Sequence, residues 1–324
     1  MLIATLLVGL NNTAEAKEQK IHLTLTCGME DDHPITLGVK KFAELLEKKT
    51  NGRITSDIYA NSTLGSDREL IEQVNAGLID GHGTATSLLA NYSPTMAVFD
   101  LPYLFVSEDH AKAVLNSEIL QKQIQLLEEA SGIKMLTWFK LGWRNITNSV
   151  RPVYSPNDMK GIKIRVIENP VMIAQFKAVG AIPTPMAWSE LYTALQQKTV
   201  DAQENPTYVI LNNSLDEVQP YLSLTEHSYT VAALIFSKKR FESLSPEDQK
   251  SVVEAAQEAK EYQVAVANER EALAVKKLKE RGNCKIVEHI DKEPWIKAMR
   301  SIYPEFTVAM GADLVNGIIN FKFK

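Results

Sequence analysis

The sequence predicts an α/β protein built in two lobes that one long helix ties together. Three observations carry this. Strand and helix signatures alternate through the first third of the chain. A helix–turn–strand unit occurs twice, at Glu69-Leu70 to Ile79-Asp80 and again at Glu190-Leu191 to Val200-Asp201. An uninterrupted helical stretch after Ser245 is longer than a single lobe. The 324 residues are enough for two cores.

Taken in order, the chain opens on an apolar run, Leu2 to Leu10, followed by Ala14-Glu15-Ala16, a small-x-small cleavage pattern. Residues 1–16 are therefore expected to be a signal-like export segment, although no Lys or Arg precedes Lys17 to make the usual charged start. The competing reading is a short buried helix; the run is too short to span a bilayer. Ile21, Leu23, Leu25 and Cys27 alternate with His22, Thr24 and Thr26, which predicts a half-buried strand. Asp32-His33-Pro34 starts a helix whose apolar face is Ile35, Val39, Phe42, Leu45 and Leu46, ended by Asn51-Gly52. A strand is predicted over Ile54–Tyr59. Ser66-Asp67-Arg68-Glu69 is a capping box for the next helix, which stops at Gly77 and leads into a strand over Leu78–Thr84. Such alternation argues for a mostly parallel sheet covered by helices.

The long helix has the strongest boundary signals. Ser245-Pro246-Glu247-Asp248 supplies a cap, a first-turn proline and first-turn acids, and no Gly or Pro follows until Gly282. At 1.5 Å per residue such a helix would be a rod of roughly 54 Å, longer than a compact lobe.

Composition excludes several functions. Net charge is −5 and the longest basic run is Lys238-Lys239-Arg240, so a phosphate-tracking nucleic-acid binder is not expected. Cys27 and Cys284 read as two separate buried thiols. The chain has no Gly-x-Ser-x-Gly, no His-Glu-x-x-His and no Gly-x-x-x-x-Gly-Lys. Asp31-Asp32-His33 reads as a helix start and not as a metal site, and neither a cofactor nor a metal is expected.

One segment does carry chemistry. In Gly161-Ile-Lys-Ile-Arg-Val, Ile164 and Val166 alternate with Lys163 and Arg165, a short strand that places an arginine among apolar residues. A guanidinium held on a strand is a pre-oriented fork for a carboxylate, a geometry lysine does not reproduce. The competing reading pairs Arg165 with Glu168 or Glu190 on the surface.

Around that arginine the chain resembles a known family. Lys163-Ile-Arg-Val, Pro183-Thr-Pro-Met-Ala-Trp-Ser-Glu-Leu-Tyr-Thr-Ala-Leu-Gln and Val200-Asp-Ala-Gln-Glu-Asn-Pro are similar to the signature of TRAP-transporter solute-binding proteins. These are extracytoplasmic receptors of tripartite ATP-independent periplasmic transporters, here of the dicarboxylate-binding, DctP-type class. Leu64-Gly-Ser-Asp-Arg-Glu, Phe99-Asp-Leu-Pro-Tyr-Leu-Phe and Gly142-Trp-Arg-Asn-Ile-Thr-Asn-Ser extend the resemblance over nearly the whole chain. Lys198 and Ala202 depart from it, standing where the family commonly has Gly.

The resemblance implies a periplasmic, monomeric, two-lobed binding protein, a Venus flytrap with the long helix bracing both lobes. The divisions expected are 19–142 plus 231–270 for lobe I and 143–230 plus 271–324 for lobe II. Arg165 would clamp a ligand carboxylate, Arg144 would be a second cation at the lobe crossing, and Asn205 would offer its amide. Trp188 would form an apolar wall, with His33 and Thr86 adding polar groups from lobe I. The ligand is then a small organic acid, either a C4-dicarboxylate read by both arginines or a sugar acid read by His33, Thr86 and Asn205. The partners are that ligand and the permease subunits of an ion-gradient-driven TRAP transporter. Two other readings stand beside this: an exported α/β enzyme acting on organic acids, with Glu168 and Glu190 as its carboxylates, and a periplasmic sensor without a transporter.

Overall fold

The computed structural model describes residues 20–323, so the signal-like segment 1–16 lies outside the described residues. The chain forms β1 (Ile21–Cys27), α1 (Pro34–Lys49), β2 (Ile54–Tyr59), α2 (Asp67–Ala76), β3 (Gly81–Ala85), α3 (Glu108–Leu115), α4 (Glu118–Ala130) and β4 (Ile133–Asn148). It continues through β5 (Lys163–Val166), α5 (Pro170–Ala178), β6 (Ile182–Pro185), α6 (Leu191–Gln196), β7 (Ala202–Asn205), α7 (Thr207–Asn212), α8 (Leu215–Val218) and β8 (Tyr221–Ser237). It closes with α9 (Lys238–Ser243), α10 (Pro246–Arg281), β9 (Lys285–Val287), α11 (Lys292–Met299), α12 (Tyr303–Met310) and α13 (Ala312–Ile319).

Local signals set the element ends. His33 caps α1, its Nδ1 accepting the Ile35 N–H at 3.1 Å, and Pro34 sits where a missing N–H costs nothing. Ser66 and Glu69 form the reciprocal capping box of α2. The strand expected over Leu78–Thr84 begins later, at Gly81, because Leu78 is 75% exposed in the turn and Asp80 is used as a backbone bridge.

That bridge reveals the duplicated unit. β1 runs parallel to β2 and β3, as β5 does to β6 and β7. Asp80 donates its N–H to the Thr24 carbonyl (3.0 Å) and accepts the Thr24 N–H on Oδ2 (2.8 Å). Asp201 does the same to Lys163, at 2.8 and 3.0 Å. In each unit the aspartate locks the turn onto the neighbouring strand. Gly77 ends the first helix at φ 73°, and Lys198 holds the corresponding turn at φ 58°, in the left-handed region that favours glycine.

The two units share one sheet, in the order β2-β1-β3-β8-β4-β7-β5-β6, with β9 also on β8. The long antiparallel pair β4–β8 joins them and is irregular midway. Its register shifts between Met135 and Thr137, Lys140 and Gly142, and Arg144 and Ile146. At the last shift β4 advances two residues while β8 runs from Ser228 to Ser223, looping out Leu224–His227.

Helices cover both faces. On β8, Val231, Ala233 and Ile235 point into a core with α2–α5 and α11–α13, whereas Ala232, Leu234 and Phe236 point into another with α1, α6–α8 and α10. The rod α10 is continuous from Pro246 to Arg281 and is capped by Ser245 and Gly282 as predicted. Near its start, Glu258 pairs with Lys49 at 2.7 Å and Asp248 with Arg53 at 3.0 Å, both on the first half. At its end Arg281 reaches the Leu211 carbonyl (2.9 Å) and Asp216 (3.1 Å) on the second. Midway, Gln263 plugs the β4 irregularity: it accepts the Lys140 N–H at 2.8 Å and donates to the Lys140 carbonyl at 2.7 Å. Cys27 is buried and Cys284 half-buried, and both are free thiols.

Candidate ligand-binding site

A narrow cleft lies where the two halves face each other. The first half contributes Met29, Asp67, Arg68, Ala85 and Leu88; the crossing strand β4 adds Leu141 and Arg144; the second half supplies Arg165, Ile167, Glu168, Met186, Ala187, Trp188 and Asn205.

Arg165 is 4% exposed. Its Nε donates to the Met186 carbonyl at 2.9 Å, which aims the fork, and among the described residues no carboxylate comes within ion-pair distance of it. Burial pulls the guanidinium down to about 10, opposed by the charge of Glu204. The competing sequence reading does not hold: Glu168 instead faces Arg68 at 3.8 Å, and Glu190 is not among the lining residues.

Arg144 is fully buried and already has a partner. Its Nε and Nη2 grip the carboxylate of Glu204, with Nη2 at 2.8 Å from Oε1, while its Nη1 is buried without a hydrogen-bond partner. His227, carried on the looped-out segment of β8, lies 3.3 Å from the same carboxylate. Burial pushes Glu204 up, yet Arg144 and His227 outweigh it and hold the carboxyl below its ordinary range.

The remaining expected residues divide. Asn205 lines the cleft, one amide hydrogen bonded to Gln203 at 2.6 Å, and Trp188 forms part of its wall. His33 and Thr86 are not among the lining residues. The His33 ring is committed to capping α1 and packs against Tyr208 at 5.7 Å, with burial pulling it down to about 3. The Thr86 hydroxyl donates to the Val231 carbonyl at 2.9 Å. The sequence reading missed Asp67 and Arg68 as lining residues and Glu204 as the partner of Arg144. The first two lie within the capping-box motif, where their spacing read as helix initiation alone.

Behind the wall sits a second polar cluster. Buried Asp100 accepts from the Ser87 hydroxyl and from Asn169 Nδ2 (3.1 Å), and Asn169 also donates to the Ser87 carbonyl at 2.8 Å. Burial pushes the Asp100 carboxyl up to about 7, against those hydrogen bonds and the charge of Arg144. Such a carboxyl keeps its proton in the fold but loses it near pH 4 when unfolded, about the ordinary value. Its contribution is therefore fully present below about pH 4 and is lost as pH rises through 7. Asp100→Asn should accordingly gain stability relative to wild type between about pH 5 and pH 8. Urea unfolding of both proteins at the two pH values checks this; a pH-independent difference excludes it.

Chemically the cleft suits capture. Among the described residues lining it there is no serine, threonine, cysteine, histidine or lysine, and its two acids are engaged, Asp67 by His82 and Glu168 by Arg68. The described residues hold no group of three or more potential metal ligands, and no described helix is long and apolar enough to cross a membrane.

Comparison with known proteins follows the same line. The family profile DctP, described as bacterial extracellular solute-binding protein, family 7, matches residues 27–309. The chain is similar to the 2,3-diketo-L-gulonate-binding periplasmic protein YiaO of Escherichia coli (strain K12), 36% identical over 286 residues, 87% of this chain and 86% of that one. Its fold matches a TRAP periplasmic solute binding protein from Polaromonas sp. JS666 bound to D-erythronate, with TM-score 0.91 and 37% identity over 94% of this chain and 100% of that one. It also matches one from Sulfurospirillum deleyianum DSM 6946 with bound succinate, with TM-score 0.89 and 30% identity over 94% and 100%.

Proposed function

The chain belongs to family 7 of the bacterial extracellular solute-binding proteins, and from that premise we propose that it captures a small organic acid by its carboxylate on Arg165. It is a binding protein of a transporter and not an enzyme. The captured acid is handed to the ion-gradient-driven permease of a TRAP system, with the receptor acting as a periplasmic monomer. Its relatives' ligands, 2,3-diketo-L-gulonate, D-erythronate and succinate, all carry a carboxylate.

The observation that carries this reading is a buried guanidinium, oriented through one nitrogen and lacking an acid of its own. A carboxylate gives up strong hydration on entering a closed cleft, and a fork of N–H donors replaces it. The charge of Arg144 is met by Glu204, but its buried Nη1 is a further donor. The lobes, 19–142 with 231–270 and 143–230 with 271–324, close by pivoting where β4 and β8 lose register near Gly142 and Thr230. A thermal-shift screen of organic acids, followed by mass analysis of the best hit after incubation, tests the function. The expected result is a stabilising acid recovered unaltered; a chemically changed acid, or no stabilisation by any carboxylate, overturns it.

A further inference from the structure

The two ends of the cleft differ in what they offer a ligand. The second half and β4 supply the cleft's unpaired cationic donors: Arg165, which has no acid partner, and the buried Nη1 of Arg144. Facing them from the first turn of α2 is Asp67, an acceptor, with its side chain 12% exposed. Its Oδ1 is held at 3.0 Å by Nε2 of His82, whose other ring nitrogen lies 2.9 Å from the Thr26 hydroxyl. Gly28 leaves the carboxylate room, since a Cβ there would stand 2.3 Å from Oδ1. Oδ2 makes no hydrogen bond to any described residue. Arg68 is the cation on this side, and its charge is already shared by Glu72 at 3.3 Å and Glu168 at 3.8 Å.

An ionised carboxylate only accepts, so Asp67 Oδ2 needs a donor from whatever fills the cleft. A hydroxyl supplies one. A second ligand carboxylate would set acceptor against acceptor and charge against like charge. The geometry points to a hydroxylated monocarboxylic acid, of the aldonate or uronate type, as the ligand class, with Asp67 selecting it over unsubstituted C4-dicarboxylates. This rests on the reading of Arg165 as the carboxylate site.

The test is calorimetric titration of the folded chain with aldonates and uronates of four to six carbons and, separately, with succinate and fumarate. Wild type should bind a member of the first set more tightly than either dicarboxylate. Asp67→Asn, which keeps the side-chain shape, and Asp67→Ala should each lower affinity for that acid roughly ten- to hundredfold, the worth of a hydrogen bond to a charged group. Succinate affinity should hold or rise. Tighter dicarboxylate binding by wild type, or equal losses for both sets in the Asp67 variants, overturns the assignment. Failure of the premise has a different signature: Arg165→Ala would then leave binding of both sets intact.

Discussion

Arg165→Ala abolishes micromolar binding of organic acids while the protein stays folded. The asymmetry follows from its surroundings. In the free protein the guanidinium is buried with no acid beside it, and burial already pulls it down to about 10. Removing it therefore relieves a desolvated charge and sacrifices one hydrogen bond, to the Met186 carbonyl. With ligand in place, the same deletion leaves a carboxylate enclosed without its counter-charge, a loss of about 3–5 kcal/mol. That is a factor of hundreds or more in affinity. Arg165→Lys should recover little, because a point charge cannot make the two-pronged contact. Calorimetry gives the affinity and thermal unfolding the stability; a variant binding within about tenfold of wild type excludes the role.

Glu204→Ala has the opposite signature: it destabilises the fold itself. Arg144 and Glu204 are both fully buried, and Glu204 is the only acid that pairs with Arg144 among the described residues. Breaking one side of such a pair costs about 3–5 kcal/mol, a large part of the 5–15 kcal/mol that holds a typical domain together. His227 would also lose its carboxylate. Replacing both members with Met should restore much of the stability, since an apolar pair of similar volume removes both desolvated charges. Chemical denaturation of the single and double variants decides it. A Glu204→Ala protein as stable as wild type would show that the pair is not structural.

These two residues also mark how far the sequence could be read. Arg165 was legible because its strand announces itself locally, by alternation and by the turn residues on each side. The Arg144–Glu204 pair was not, because it depends on β4 meeting β7 in the register that sets Asn145 against Asn205 and Ile146 against Glu204. No local pattern encodes that register. The same holds for β4 and β8 themselves: central strands buried on both faces show no alternation, so their joint span across both halves was hidden. Helix ends were legible throughout, since Ser66, Ser245 and Gly282 act within one turn of where they stand. His33 and Thr86 were placed in suitable loops, yet what each side chain bonds to was not readable. His33 is taken by its own helix and Thr86 by β8.

The way β3 lies against β8, Gly81 opposite Phe236, has a consequence for biosynthesis. Until Ser237 has left the ribosome, one border of β3 stays without its neighbour, and the first half remains unfinished although its early strands were made long before. Contacts so distant along the chain delay folding. A polypeptide that must stay pliable while it threads a secretion pore would be helped by such lateness.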